Sequence, residues 1–199
     1  MTVRLFVALS LPRALRDTIA RLPLPTAPPG VRSRRVPAAN LHLTVRFLGD
    51  VEPTRIPSVT GALRRASREV SSLRVRVGRA GRFPPRGAPR VIWVGAEGGD
   101  ALVAWKRSVD RALAEEGFAP ERRRWTPHVT VARIAASAAW RAPAVPTIGE
   151  LELRSVELVR SVLRPSGAEH AVLASVPFGP DDELDGGPGN ALGPAADAR

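Results

Sequence analysis

The chain has 199 residues, no cysteine and a formal net charge of +11 at pH 7. Without cysteine, neither disulfides nor thiolate metal sites can form, and no segment approaches the run of about 20 apolar residues that a membrane span needs. The positive charge is almost entirely arginine. It favours a nucleic-acid partner, or it reflects the codon bias of a GC-rich genome, and charge alone does not separate the two.

Predicted strands and helices are mixed along the chain. Short runs rich in β-branched residues, or alternating between apolar and polar residues, predict strands, and apolar residues at helical spacing predict helices. The predicted strands are 3–9, 32–36, 41–48, 73–77, 90–96, 128–134, 151–163 and 171–176. The predicted helices are 11–22, 56–70 and 101–117. This mixture indicates an α+β protein.

The composition changes at Gly179, where glycine, proline and acidic residues replace the apolar patterns. Because such a segment has little to bury, we expect a disordered tail over 179–199 and a single domain over 1–178. The apolar stretch at the N-terminus lacks the long uninterrupted run of a signal peptide, so we read it as a strand. We expect a cytoplasmic protein that makes no contact with a membrane.

A four-residue pattern occurs twice, as His-Leu-Thr-Val at 42–45 and His-Val-Thr-Val at 128–131. Each copy lies in a predicted strand, where residues two apart point to the same face. The repeat therefore predicts two similar lobes whose cleft would hold two imidazoles and two hydroxyls. Chance is the competing explanation for one copy, but two copies in equivalent strands are much harder to explain in that way.

With these motifs, the chain resembles the 2H phosphoesterase superfamily, and within it the bacterial and archaeal RNA 2',3'-cyclic phosphodiesterases, also called 2'-5' RNA ligases. The resemblance covers 3–178 and is carried by RLFVALSLP, NLHLTVRFLGD, GRFPPRGAPRVIWVG, RRRWTPHVTVAR and SVLRPSGAEHAVL. It implies a two-lobed, duplicated fold in which antiparallel sheets form a central cleft with helices outside. The chain departs from the family pattern near Arg35, where a common aromatic residue is absent, at Trp125, often phenylalanine, and at His170, often tyrosine.

The resemblance also implies a reaction, the hydrolysis of RNA 2',3'-cyclic phosphate ends to 2'-phosphomonoesters. His42 would be the proton donor to the leaving oxygen, and His128 the proton acceptor that activates water. Two imidazoles, with an ordinary pKa near 6.5, can supply both transfers, so we expect no metal and no cofactor. The spacing alone leaves the two roles interchangeable. The same site could run the reverse reaction, in which a 5'-hydroxyl RNA end replaces water.

Five further residues are candidates for holding the phosphate and the RNA. Thr44 and Thr130 share a face with the histidines and could donate hydrogen bonds to phosphate oxygens, although β-propensity alone could explain them. Arg46 has the same parity as His42 and could face the cleft. Arg133 has the wrong parity unless the strand contains a bulge, but the family pattern has an arginine there. Arg123 matches a family arginine ahead of the second motif, and a solvated surface arginine is the alternative for all three.

Phe83 and Trp125 could stack on an RNA base, with core packing as the more common role of an aromatic residue. The expected partner is RNA with 2',3'-cyclic phosphate ends, with tRNA fragments among the candidates, and the expected oligomeric state is a monomer.

Three other functions remain open at the level of sequence. A 2H enzyme could act on another small cyclic phosphodiester, such as ADP-ribose 1'',2''-cyclic phosphate, with the same motifs. A non-catalytic RNA-binding module is a second alternative, against which the presence of both histidines argues. A metal site of His42, His128 and His170 is a third, and it lacks the carboxylate or cysteine spacing usual for zinc.

Overall fold

The computed structural model describes residues 1–23, 32–121, 123–135, 145, 147–165 and 167–180. Its strands are β1 Val3–Ser10, β2 Ser33–Arg35, β3 His42–Val51, β4 Leu73–Phe83, β5 Val91–Glu97, β6 His128–Ile134, β7 Gly149–Leu153, β8 Ser155–Arg164 and β9 Gly167–Pro177. Its α-helices are α1 Arg13–Ala20, α2 Ile56–Ser67 and α3 Gly99–Glu115. Within these residues, no helix is both long enough and apolar enough to cross a membrane.

The strands of the described chain form one curled antiparallel sheet in the order β7-β4-β5-β6-β3-β1-β8-β9, with β2 paired to β6. We call β3, β1, β8 and β9 the first half-sheet, and β6, β5, β4 and β7 the second half-sheet. The two halves meet at the registered pair of Leu43 on β3 and Val129 on β6. The predicted α+β class and antiparallel architecture are confirmed, and the sheets are continuous with each other.

The repeat in the sequence corresponds to a repeat in the topology. In the first half-sheet, β1 and β3 are antiparallel neighbours with α1 between them in the chain; in the second, β5 and β6 are neighbours with α3 between them. The strands β3 and β6 also begin with the same alternation of half-buried and buried side chains. Each His-x-Thr motif therefore starts the inner strand of its own half-sheet.

Helices α2 and α3 cover one face of the sheet and bury its apolar side chains. Trp105 of α3 is 2% exposed and donates its indole N–H to the Ser67 hydroxyl at 3.2 Å. Phe178, which follows β9, packs against the Trp105 ring with 5.3 Å between centroids. Gly117 ends α3 with a φ of 81°, a conformation that favours glycine.

Two strand predictions are corrected by the structure. The single strand predicted over 151–163 is two strands, β7 and β8, separated at Arg154. Because β7 pairs with β4 and β8 pairs with β1, the chain passes from one half-sheet to the other at this residue. The strand predicted over 73–77 extends to Phe83. The tail predicted over 179–199 lies outside the described residues from 181 onward, and the division at residue 178 stays a prediction.

Candidate active site

The two His-x-Thr motifs lie side by side where the half-sheets meet. His42 and His128 are the first residues of β3 and β6, and each is half-buried beside a buried apolar residue. Because Leu43 is registered with Val129 in an antiparallel pair, His42 is opposite Thr130 in the ladder. The two imidazoles and two hydroxyls therefore share one face of the sheet.

Both imidazole rings are anchored in the same way. His42 Nδ1 lies 2.7 Å from the carbonyl oxygen of Asn40, and His128 Nδ1 lies 2.6 Å from the carbonyl oxygen of Thr126. A carbonyl oxygen only accepts hydrogen bonds, so each Nδ1 carries the proton and each Nε2 is left for other partners. His42 Nε2 is 3.0 Å from the Thr44 hydroxyl oxygen. Each ring is thus held by the backbone two residues earlier.

Burial lowers the pKa of both imidazoles. For His42, burial is the largest cause, and the positive charges of His170, His128 and Arg133 add to it; the hydrogen bond to Asn40 opposes them, leaving a pKa of about 4. For His128, burial and then Arg133 lower the pKa, against the hydrogen bond to Thr126. Both rings are therefore neutral at pH 7, and Arg133 acts on both of them.

A bulge in β6 explains how Arg133 reaches the site. In the pairing of β5 with β6, Trp93 is registered with Thr130, and the preceding residue of β5 is registered with Ala132, so Val131 is an extra residue. An extra residue reverses the alternation of side chains beyond it. Arg133 is exposed and lies close enough to influence both histidines. The sequence placed Arg133 on the cleft face only if the strand contained a bulge, and β6 contains one.

The equivalent bulge in β3 has the opposite effect on Arg46. Val45 is the extra residue there, since Thr44 and Arg46 are registered with consecutive residues of β1. Arg46 is 3% exposed, its Nη1 donates to Asp110 Oδ1 at 2.6 Å, and its Nη2 donates to the Ala119 carbonyl. The prediction that Arg46 faces the cleft is wrong, because the parity argument assumed a regular strand.

Asp110 of α3 also accepts from Lys106, with 2.6 Å between Nζ and Oδ2. Two buried cations, Arg46 and Lys106, therefore share one carboxylate on the helix side of the sheet. This arrangement ties β3 of the first half-sheet to α3 beside the second. The shared carboxylate therefore bridges the two half-sheets beside the junction that carries both motifs.

Aromatic rings surround each histidine. His42 stacks on Phe6 with 4.7 Å between ring centroids, and His170 lies edge-on to His42 at 5.2 Å. Phe83 lies edge-on to His128 at 4.9 Å, and the Trp93 centroid is 6.0 Å from that of His128. Of these neighbours, the sequence pointed to Phe83 as a stacking residue and to His170 only as part of the alternative metal site. The rings of Phe6 and Trp93 come from strands neighbouring β3 and β6, a relationship that only the sheet topology shows.

Trp125 and Arg123 occupy the segment before β6. The Trp125 indole donates its N–H to the Thr44 carbonyl oxygen at 3.1 Å, and the ring packs against the core. These contacts favour the packing role over stacking on a base. Arg123 is exposed, and its role stays a prediction.

The described residues contain no group of three His, Asp or Glu side chains arranged to hold a metal ion. The three-histidine metal site considered from the sequence is not formed there. What the geometry does provide is a pair of anchored imidazoles, two hydroxyls and one exposed arginine. These groups on one face of a curled antiparallel sheet are typical of a two-histidine phosphoesterase.

Comparison with known proteins agrees with this class. The family model described as the 2'-5' RNA ligase superfamily matches residues 11–162. A protein of Aeropyrum pernix named RNA 2',3'-cyclic phosphodiesterase is 35% identical over 172 residues, covering 81% of this chain and 92% of the relative. A protein of the same name from Methanothermobacter thermautotrophicus is 31% identical over 175 residues, covering 84% and 94%. The chain belongs to the 2'-5' RNA ligase superfamily of 2H phosphoesterases.

Solved structures show the same fold. The crystal structure of E. coli LigT complexed with 3'-AMP matches with a TM-score of 0.76 and 25% identity, covering 89% of this chain and 99% of LigT. The crystal structure of a Thermus thermophilus protein matches with a TM-score of 0.75 and 28% identity, over 89% and 99% of the two chains. The curled sheet described above is therefore the common framework of these proteins.

Proposed function

We propose that the protein hydrolyses RNA 2',3'-cyclic phosphate ends to 2'-phosphomonoesters. The observation that carries the proposal is the pair of half-buried imidazoles, each with its Nδ1 fixed by a backbone carbonyl and its Nε2 on the shared face. The names of the archaeal relatives support the substrate class. A metal-free reaction on a cyclic diester needs one proton acceptor and one proton donor, and this site offers both.

The reaction assigns one step to each ring. His128 Nε2 takes a proton from water, whose oxygen attacks phosphorus in line while the bond from phosphorus to the ribose 3'-oxygen breaks. His42 gives its proton to that leaving oxygen, so the product carries a 2'-phosphate. The choice of His42 as donor rests on the family resemblance, since the anchoring of the two rings is equivalent.

Because the pKa values of both histidines are lowered, His42 must gain its proton when the substrate binds. A neutral His128 suits a proton acceptor, but His42, with a pKa of about 4, carries no proton to donate at pH 7. A cyclic phosphate is an anion, and an anion beside an imidazole raises its pKa. Binding of the substrate would therefore favour protonation of His42 in the enzyme–substrate complex, where His42 acts as the proton donor.

Thr44 and Thr130 would stabilise the charge that develops on phosphorus oxygens. The Thr44 hydroxyl faces Nε2 of His42 at 3.0 Å. Once that nitrogen is protonated it no longer accepts, and the hydroxyl hydrogen is free to turn to a phosphate oxygen. Arg133 adds positive charge near both rings, and Phe83 offers a ring face beside His128 for stacking on a base.

The wider setting of the reaction belongs to the same proposal. We infer a single catalytic domain over 1–178, a monomer, and a cytoplasmic enzyme whose RNA substrates include tRNA fragments among the candidates. The site could also join a 5'-hydroxyl RNA end, because that hydroxyl can replace water in the attack from the acceptor side.

The test is to incubate an oligonucleotide ending in a 2',3'-cyclic phosphate with the protein in excess EDTA. We expect hydrolysis to a 2'-phosphate, identified by phosphorus NMR against authentic 2'- and 3'-monophosphates. A 3'-phosphate would mean that the ribose lies the other way round in the cleft. Activity lost in EDTA and restored by one divalent ion would overturn the metal-free reaction. Turnover of ADP-ribose 1'',2''-cyclic phosphate but not of the oligonucleotide would show that the proposed substrate is wrong. Binding of the RNA without turnover would show that the protein is an RNA-binding module and not an enzyme for this reaction.

A further inference from the structure

Three arginines lie on one face where β2 pairs with β6. Arg34 is registered directly with Arg133, and Ser33 with Ile134. The pairing continues outward, since the Ala135 N–H donates to the Arg32 carbonyl at 2.8 Å. Residues two apart in a strand share a face, so Arg32 lies on the same face as Arg34 and its partner.

Like charges directly opposite each other in an antiparallel pair destabilise the sheet. On β4, by contrast, Arg76 has an acidic partner across the strands, since its Nε lies 2.9 Å from Glu150 on β7. Among the described residues, no carboxylate forms an ion pair with Arg32, Arg34 or Arg133. An anion from outside this part of the chain would relieve the repulsion between them.

The side chain of Arg34 is held by one hydrogen bond, and its other donors remain available. Its Nη2 donates to the Pro165 carbonyl at 3.0 Å, which fixes the guanidinium near the turn after β8. A guanidinium has five N–H donors, so others remain for a ligand. The neighbouring Arg35 differs, because its two Nη atoms donate to the carbonyls of Ala20 and Leu22.

These arginines line a cavity that adjoins the catalytic cleft. Arg32, Ser33, Arg34, Arg133, Ile134 and Ala135 line an open surface cavity of about 440 Å³. Arg133 belongs to this cavity and also acts on both catalytic imidazoles. Because Val131 is the extra residue of the bulge, Arg133 is registered with Val91, two residues along β5 from the partner of Thr130, or about 7 Å along the sheet. The cavity therefore lies next to the position that the terminal cyclic phosphate would occupy at the two histidines.

We propose that Arg34 and Arg133 bind the phosphodiester on the 5' side of the terminal nucleotide. This inference rests on the proposed function, because it takes the cyclic phosphate to lie at His42 and His128. From a terminal cyclic phosphate, RNA continues in only one direction, through the 5' oxygen of that nucleotide. Arginine is suited to this ligand because its planar fork binds two phosphate oxygens at once. The chain therefore selects RNA ends over free cyclic mononucleotides.

The experiment compares two substrates, cytidine 2',3'-cyclic phosphate and a short oligonucleotide with the same terminal nucleotide. The variant is Arg34→Ala, and the matched control is Arg64→Ala, which removes an equal charge from the exposed side of α2. For Arg34→Ala we expect kcat/KM on the oligonucleotide to fall roughly tenfold at low salt, with the mononucleotide nearly unchanged. The slope of log kcat/KM against log salt should become shallower by about 0.7, as for one lost contact with a single strand.

The outcomes separate this inference from the proposed function. If the wild-type protein hydrolyses neither substrate, the proposed function fails first. If it hydrolyses both and Arg34→Ala changes them equally, or leaves the salt slope unchanged, the phosphodiester site is wrong. Arg34→Gln, which removes the charge and keeps an amide donor, repeats the comparison should the alanine variant lower the Tm. Arg34→Lys should restore the salt slope while recovering only part of the lost kcat/KM, because a lysine binds phosphate as a point charge.

Discussion

Leu43 of β3 is registered with Val129 of β6, and each is the middle residue of a His-x-Thr motif. This pair joins the two half-sheets, so the catalytic groups of both halves meet at the junction itself. The antiparallel register places each histidine opposite the threonine of the other motif. Pairing of the inner strands of two similar strand–helix–strand units therefore brings the four side chains of the motifs together.

Replacing Arg133 with alanine should lower kcat/KM on cyclic-phosphate RNA by roughly tenfold, because one arginine contact with an RNA phosphate group is lost. Arg133 lowers the pKa of both His42 and His128. Its removal should therefore raise both pKa values and move the pH optimum of kcat/KM upward. Steady-state kinetics across pH measure both effects, with Arg64→Ala as the control. Equal and negligible changes in the two variants would remove Arg133 from the site.

Replacing Asp110 with alanine should destabilise the protein without a direct effect on the reacting groups. The change leaves Arg46 and Lys106, which are 3% and 4% exposed, without their shared carboxylate. Breaking such a pair costs about 3 kcal/mol or more, which corresponds to a Tm lower by about 10 °C for a domain of this size. Thermal unfolding of the variant measures this loss.

The matched control is Asp17→Ala, which removes an exposed carboxylate from the pair formed by Arg13 and Asp17 at the same spacing of four residues. Exposed pairs contribute less than about 1 kcal/mol. A Tm of Asp110→Ala equal to that of this control would mean that the carboxylate contributes nothing to the junction.

Arg46 and Arg133 also show what the sequence can and cannot predict. The motifs at His42 and His128 were predictable because each is a contiguous pattern in an apolar strand. The orientation of Arg46 was not, because an extra residue at Val45 reverses the parity and nothing in the local sequence marks the bulge. The same irregularity in β6 brings Arg133 to the cleft.

Long-range pairing accounts for the rest. The division of 151–163 into β7 and β8 depends on which distant strand each one joins, and both segments carry a strand-like pattern. The approach of Phe6 to His42 and of Trp93 to His128 depends on the same pairing. These features follow from topology, whereas the class of fold and the principal catalytic candidates follow from local pattern.

The stability of the protein should fall as the pH is lowered from 6.5 toward 4, in part through His42. Its pKa is about 4 in the folded protein and about 6.5 when exposed. Below pH 6.5 the unfolded chain therefore binds a proton that the folded chain does not, which favours unfolding. Denaturant unfolding should show this loss, on the order of 3 kcal/mol, in the wild-type protein.

The variant His42→Gln lacks that proton-binding group, so its stability should depend less steeply on pH across the same interval. The quantity to compare is the difference between the free energies of unfolding of wild type and variant. As the pH falls, the free energy of unfolding of the wild type should decrease more than that of the variant. Plots of unfolding free energy against pH that run parallel for the two proteins would contradict the lowered pKa of His42.

Deleting residues 181–199 should leave the Tm and the turnover nearly unchanged, because that sequence has no apolar pattern to bury. The described chain is secured just before this point, where Phe178 is 7% exposed and packs on Trp105. Phe178→Ala, in contrast, should lower the Tm by removing that contact. A drop of several degrees in the truncated protein would show that the tail docks on the domain.

The most direct measurement is the rate of cyclic-phosphate hydrolysis in His42→Ala, His128→Ala and the double variant, with His170→Ala as the control. His170 is 5.2 Å from His42 but has no proton transfer assigned to it, so its variant should keep most of the activity. Each single catalytic variant should lose on the order of a hundredfold or more in kcat. The double variant should be far less than multiplicatively slower, because the two rings act as a unit. A rate near that of the wild type in either single variant would contradict the two-histidine mechanism.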